Sequence, residues 1–72
     1  MLVFKIVDGN KKPVKKAKVT VHIHEGGNAS ALTDRSGFVA VPVTGGTFGT
    51  VTVNGNQVYD GNVRELDELV LP

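Results

Sequence analysis

The chain has 72 residues, with 8 Lys and Arg against 7 Asp and Glu, a net charge of +1 and no Cys. A chain this short makes a single domain, residues 1–72, that buries only about 60% of the surface its unfolded form exposes; without cysteine it has neither disulfides nor thiolate chemistry. No stretch approaches the roughly 20 apolar residues needed to cross a bilayer, so no membrane partner is expected, and the segment Met1–Asp8 lacks the charged leader and long apolar run of a signal peptide.

Period-two alternation dominates the chain and argues for strands. In a first strand Leu2, Phe4 and Ile6 share one face, with Val3, Lys5 and Val7 on the other. Pro13 then marks a turn, and the second strand is the clearest. Ala17, Val19, Val21 and Ile23 point one way and Lys18, Thr20, His22 and His24 the other, as in an antiparallel sheet packed on one side. Glu25–Asn28 reads as a turn, because paired glycines supply positive φ angles. Ala29–Thr33 forms a short third strand, ended by the turn Asp34–Gly37. Phe38–Val43 follows as a strand. Pro42 assigns it to an edge, since proline cannot donate to a ladder. Thr44-Gly45-Gly46 breaks the chain again. Thr47–Val53 and Gln57–Tyr59 flank Asn54-Gly55, the strongest short hairpin signal. At the end, Asn62–Glu65 has the spacing of a capping box, while Leu69-Val70-Leu71 suits a closing strand; a turn followed by a strand is the favoured reading. Seven short strands at close spacing predict an all-β fold, a small Greek-key β-sandwich.

Charge is distributed unevenly. Lys5, Lys11, Lys12, Lys15, Lys16 and Lys18 crowd the first quarter, and Asp60, Glu65, Asp67 and Glu68 make the end acidic. The favoured reading is a solvated lysine-rich loop facing its own acidic tail. Nucleic-acid binding would want aromatics among the lysines; Lys11–Lys18 has none, so no nucleic-acid partner is expected.

The turn-and-strand pattern resembles the carboxypeptidase regulatory-like family, which has the transthyretin-like (prealbumin-like) sandwich. The residues that carry the likeness are Gly9, Pro13-Val14 ahead of Ala17–Val21, then Thr33-Asp34, Gly37-Phe38 and Gly46-Thr47-Phe48, covering about three quarters of the chain up to Val53. Collagen-adhesin B-type and bacterial Ig-like modules share a similar pattern. The resemblance implies a non-catalytic accessory domain that stabilises, spaces or binds, with Phe38 filling the core at a strand start. The transthyretin-like hydrolases of hydroxyisourate end in Tyr-Arg-Gly-Ser, whereas this chain has Leu69-Val70-Leu71-Pro72, so that activity is not expected. In adhesin modules a Lys joins an Asn or Asp through an isopeptide bond assisted by an acid. Lys5 and Asn62 would be the pair here, but Thr47–Val53 and Gln57–Tyr59 contain no acid to shuttle the proton.

Few residues suggest chemistry. His22 and His24, at i and i+2 on a strand, project from the same face about 7 Å apart at the backbone, and Glu25 follows directly. This is the candidate metal site, for zinc held weakly, because a structural site wants four ligands and carboxylates would have to supply the rest. The simpler reading is two polar residues on a wet face, like Lys18 and Thr20. Ser30 and Ser36 have no base beside them for nucleophilic catalysis, and Ser36 lies in a turn where a hydroxyl usually bonds the local backbone. Gly26-Gly27 and Gly45-Gly46 lack the Lys-Ser/Thr pair and helix of a phosphate loop. No catalytic residue and no cofactor are expected. Asn28-Ala29-Ser30 matches a glycosylation acceptor. Sugar binding would need exposed aromatics. Phe4, Phe38 and Phe48 hold strand positions suited to the core, leaving Tyr59 as the carbohydrate candidate. The expected function is therefore a structural or protein-interaction module. It would associate with a protein partner or with itself through a sheet edge, where unpaired ladder groups template another strand. Lysines 11 to 18 are expected to protect one edge, and the strand carrying Pro42 forms another. The alternative is a ligand-binding module, with metal at His22/His24 or sugar near Tyr59.

Overall fold

The computed structural model describes residues 1–43 and 45–72. Among the described residues seven strands follow one another: β1 (Leu2–Val7), β2 (Lys18–Ile23), β3 (Asn28–Leu32), β4 (Phe38–Val41), β5 (Phe48–Val53), β6 (Asn56–Asn62) and β7 (Glu68–Val70). They form two sheets, in the orders β4-β1-β7 and β3-β2-β5-β6. The chain crosses between sheets after β1, β3, β4 and β6, and the result is an all-β sandwich. Neighbours pair antiparallel except β1 and β7, which run parallel. No helix is long and apolar enough to cross a membrane among the described residues.

The core follows directly from alternation. Leu2, Phe4 and Ile6 of β1 close over Val19, Val21 and Ile23 of β2, joined by Val39 and Val41 of β4, Val51 and Val53 of β5, and Leu69 of β7. Each apolar side chain so buried contributes roughly 1.5–3 kcal/mol. Ala17 is buried just ahead of β2, as expected.

Local chemistry sets the connections. At Asn54 and Gly55 φ is 50° and 89°, as the tight hairpin between β5 and β6 requires, and the Asn54 side chain accepts the Lys18 N–H at 3.0 Å. Asp34 Oδ1 accepts from the N–H groups of Ser36 (2.8 Å) and Phe38 (3.0 Å), which closes the turn into β4. The ambiguous end resolves as a single 3₁₀ turn at Val63–Glu65 followed by β7. Asn62 caps that turn by accepting the Arg64 N–H at 3.0 Å. Of the expected break at Thr44-Gly45-Gly46, Thr44 lies outside the described residues; Gly45 and Gly46 both have positive φ.

Val7, on the other face of β1, is buried because the chain folds back after β1, with Pro13 bridging to Val7 and Val14 donating to the Ile6 carbonyl at 3.0 Å. Three expectations need correction. Pro42 lies just past β4 instead of within it, although β4 is indeed an edge. Strand β6 runs on to Asn62, so Asp60 is a strand residue. Phe38 and Phe48 are 45% and 59% exposed rather than core, because Val39/Val41 and Val51/Val53 take the inward positions of their strands.

Candidate functional site

The two sandwich faces differ in chemistry. The outer face of the β3-β2-β5-β6 sheet is polar. Ser30, Thr20 and Thr52 stand side by side across β3, β2 and β5; Asn28, His22, Thr50 and Asp60 form the next row. Thr20 and Ser30 hydroxyls share a hydrogen bond of 2.8 Å. Two outward-facing hydroxyls thereby satisfy one another, which leaves Ser30 bonded to another hydroxyl rather than to a base.

His24 follows β2 directly. Its N–H donates to the Phe48 carbonyl at 3.0 Å, and its Nε2 lies 3.6 Å from Asp60 Oδ1. The fold thus brings His24 to Asp60 rather than to Glu25. Both partners are more than half exposed, and an exposed pair of this kind contributes about 0–1 kcal/mol. His22 is exposed one register pair away, opposite Asn28 and Thr50. Among the described residues no three His, Cys, Asp or Glu side chains gather closely enough to hold a metal ion.

A cleft of about 470 Å³ opens beside His24, lined by Ile23, His24, Glu25, Gly46, Thr47 and Phe48. Arg64 braces one wall by donating from Nε to the Gly46 carbonyl at 2.9 Å. The exposed ring here belongs to Phe48. Tyr59, the sequence candidate for sugar, is half-buried against the core, and its hydroxyl donates to the Asn62 carbonyl at 2.9 Å. Phe48 was missed although its parity announced it, since Val51 and Val53 fix the inward phase of β5.

On the other sheet Lys5 lies with its Nζ 5.7 Å from the Phe38 ring centre, a weak cation–π contact. Asn62 is committed to its capping bond, and no bond joins it to Lys5 among the described residues. Asp60 is on the opposite sheet, facing His24. One lysine of the basic loop does meet the acidic end, through the 3.0 Å Lys11–Glu68 pair at β7. Lys18 belongs to the interior strand β2, so it guards no edge.

The backbone offers a further surface. Strands β3, β4, β6 and β7 are the sheet edges, and each presents N–H and C=O groups on its outer side. No family model, no curated protein and no solved structure matches this chain.

Proposed function

We propose that the chain is a non-catalytic β-sandwich module whose role is structural or protein-binding, acting through a sheet edge. The observation that supports this reading is the unpaired backbone of the sheet edges. The Thr20 and Ser30 hydroxyls on the polar face bond each other, whereas edge strands offer ladder groups to a further strand. The likeness to the carboxypeptidase regulatory-like family and its transthyretin-like sandwich belongs to the same proposal. Supporting it, Pro13 bridges to Val7, Ala17 is buried at the start of β2, and Gly37 has φ of 80° at the turn into β4. Phe38 departs from that likeness, being outside the core.

The alternative, a ligand-binding module, is favoured by the cleft beside His24, where an exposed Phe48 ring and the His24–Asp60 pair converge. NMR separates the two readings. Concentrating the ¹⁵N-labelled chain is expected to protect outward-facing amides of an edge strand from exchange. Zinc chloride or a saccharide panel would instead shift His22, His24 or Phe48. If no edge amide gains protection, the edge reading fails.

A further inference from the structure

The four edges are not equivalent, and hydrogen-bond phase distinguishes them. In an antiparallel pair alternate residues spend their N–H and C=O on the neighbour, and the residues between them point outward. For β4 the Ile6 N–H donates to the Gly37 carbonyl, which makes Phe38 and Ala40 the outward residues. Phe38 is already occupied: its carbonyl accepts from Asp34 N–H at 2.9 Å and its N–H donates to Asp34 Oδ1 at 3.0 Å. Pro42, with no N–H, ends that edge. Strand β7 spans three residues and has the Lys11–Glu68 pair upon it. Strand β6 is broken by a register shift opposite Val51/Thr52, carries the charge of Asp60, and has its Asn62 carbonyl taken by the Tyr59 hydroxyl.

Strand β3 has none of these protections. Ile23 N–H donates to the Gly27 carbonyl and Thr33 N–H to the Ala17 carbonyl. With the register Val21↔Ala29 and Val19↔Ala31, the residues that bond β2 are Ala29 and Ala31. Asn28, Ser30 and Leu32 therefore direct their backbone groups outward. None of these groups takes part in a hydrogen bond outside the strand ladder among the described residues. All three residues are exposed, Leu32 at 65%, and the strand Asn28-Ala29-Ser30-Ala31-Leu32 has no charge, proline or bulge. Such an edge is a template for pairing.

We infer that β3 is the association edge, and that its occupant is β3 of a second copy, antiparallel about a two-fold axis at Ser30. This rests on the edge reading above and specifies which edge and which partner. The register follows from phase. Ser30 faces the second Ser30 and Asn28 faces the second Leu32, so every outward residue meets an outward residue. Three residues on each chain, each with one donor and one acceptor, then form about six backbone hydrogen bonds. Self-pairing at β6 would instead bring Asp60 carboxylates together. Because β3 is uncharged, it meets no such repulsion. The two four-stranded sheets become one continuous sheet. An edge contact of this size lies below the ~1,000 Å² of a stable interface, so the dimer is weak and concentration-dependent.

The chain contains no cysteine, so Ser30→Cys gives one unambiguous cross-link test. A hydrogen-bonded antiparallel pair has Cα atoms about 5.5 Å apart, within disulfide reach. Mild oxidation of concentrated Ser30→Cys is expected to give a covalent dimer, and Asp60→Cys on β6 a monomer. Sedimentation of the unmodified chain is expected to shift toward dimer between about 10 µM and about 1 mM. Ser30→Pro, which removes the outward N–H along with the hydroxyl shared with Thr20, is expected to stay monomeric throughout. Should that variant lose its fold, Ser30→Lys sets like charges opposite one another and is expected to weaken dimerisation by about two- to fivefold. Dimerisation of undiminished strength in Ser30→Lys, or cross-linking through Asp60→Cys instead, overturns β3 while leaving an edge in use. A chain that stays monomeric to about 1 mM overturns the pairing, and exchange protection on no edge strand overturns the edge reading with it.

Discussion

Thr33 and Ala17 are joined by two hydrogen bonds in the buried corner where β3 ends and β2 begins. The Ala17 N–H donates to Thr33 Oγ1 at 2.9 Å, and the Thr33 N–H donates to the Ala17 carbonyl at 3.0 Å. Thr33 is a buried polar side chain. Its hydroxyl stands in for a ladder carbonyl, because the Thr33 carbonyl itself accepts from Lys16 at 3.1 Å. Replacing Thr33 by Val keeps the volume but leaves the Ala17 N–H without a partner inside the protein. A buried donor left unsatisfied costs about 1–3 kcal/mol. Urea denaturation of Thr33→Val is therefore expected to show a loss of that size, and Thr33→Ser to recover most of it.

Gly37 is held to glycine by two constraints at once. Its φ of 80° lies in the left-handed region, and a Cβ there would come 2.6 Å from the Ile6 carbonyl oxygen. That oxygen accepts the Val14 N–H at 3.0 Å, so it cannot turn aside without opening the fold-back that buries Val7. Gly37→Ala is expected to cost more than the ~1 kcal/mol of a positive-φ position free of contacts. Gly55→Ala supplies that reference, since its turn has φ of 89° and open space around it. Thermal melts of the two variants should separate them, with Gly37→Ala the lower.

Phe4 and Phe38 test the assignment of core against surface. Phe4 is 1% exposed and Phe38 45%. Truncating a buried Phe to Ala costs about 3–5 kcal/mol, a large share of the stability of a small domain. Phe4→Ala is expected to be unfolded or nearly so by near-ultraviolet circular dichroism. Phe38→Ala removes a ring that is 45% exposed, its contact with Lys5 included, and is expected to cost much less, about 1 kcal/mol.

The same pair shows what was legible in the sequence. Strand β2 could be read to the residue because apolar and polar side chains alternate without exception from Ala17 to His24. In β4 the large aromatic drew the assignment inward, but Val39, Val41 and Val43 had already fixed the phase by recurring at every second position, and all three are buried. Tyr59 follows the same rule, since its partner Val51 faces the core. The candidate site was less legible. His24–Asp60 joins residues that are far apart in sequence across an intervening strand, so only the register of β5 against β6 reveals it. Edges are harder still: Pro42 marked β4, but strand order comes from long-range pairing and left no such mark on β3, β6 or β7.

Asp8 makes stability depend on acid. Its carboxylate accepts the N–H groups of Asn10 at 2.8 Å and Lys12 at 3.0 Å, in the turn that folds the chain back over Val7. Those bonds, that from Lys12 foremost, hold the Asp8 carboxyl below the usual carboxylate range. A lowered folded value means that the unfolded chain binds the proton more readily. The contribution is therefore complete at neutral pH and is lost as pH falls through the folded value of Asp8. The carboxylate lies at the surface, so its effect is small and local. An NMR pH titration is expected to place the midpoint of the Asp8 carboxyl carbon below the usual aspartate range. Asp8→Ala is expected to abolish acid-dependent shifts of the Asn10 and Lys12 amides; if those shifts persist in the variant, the two bonds do not govern the turn.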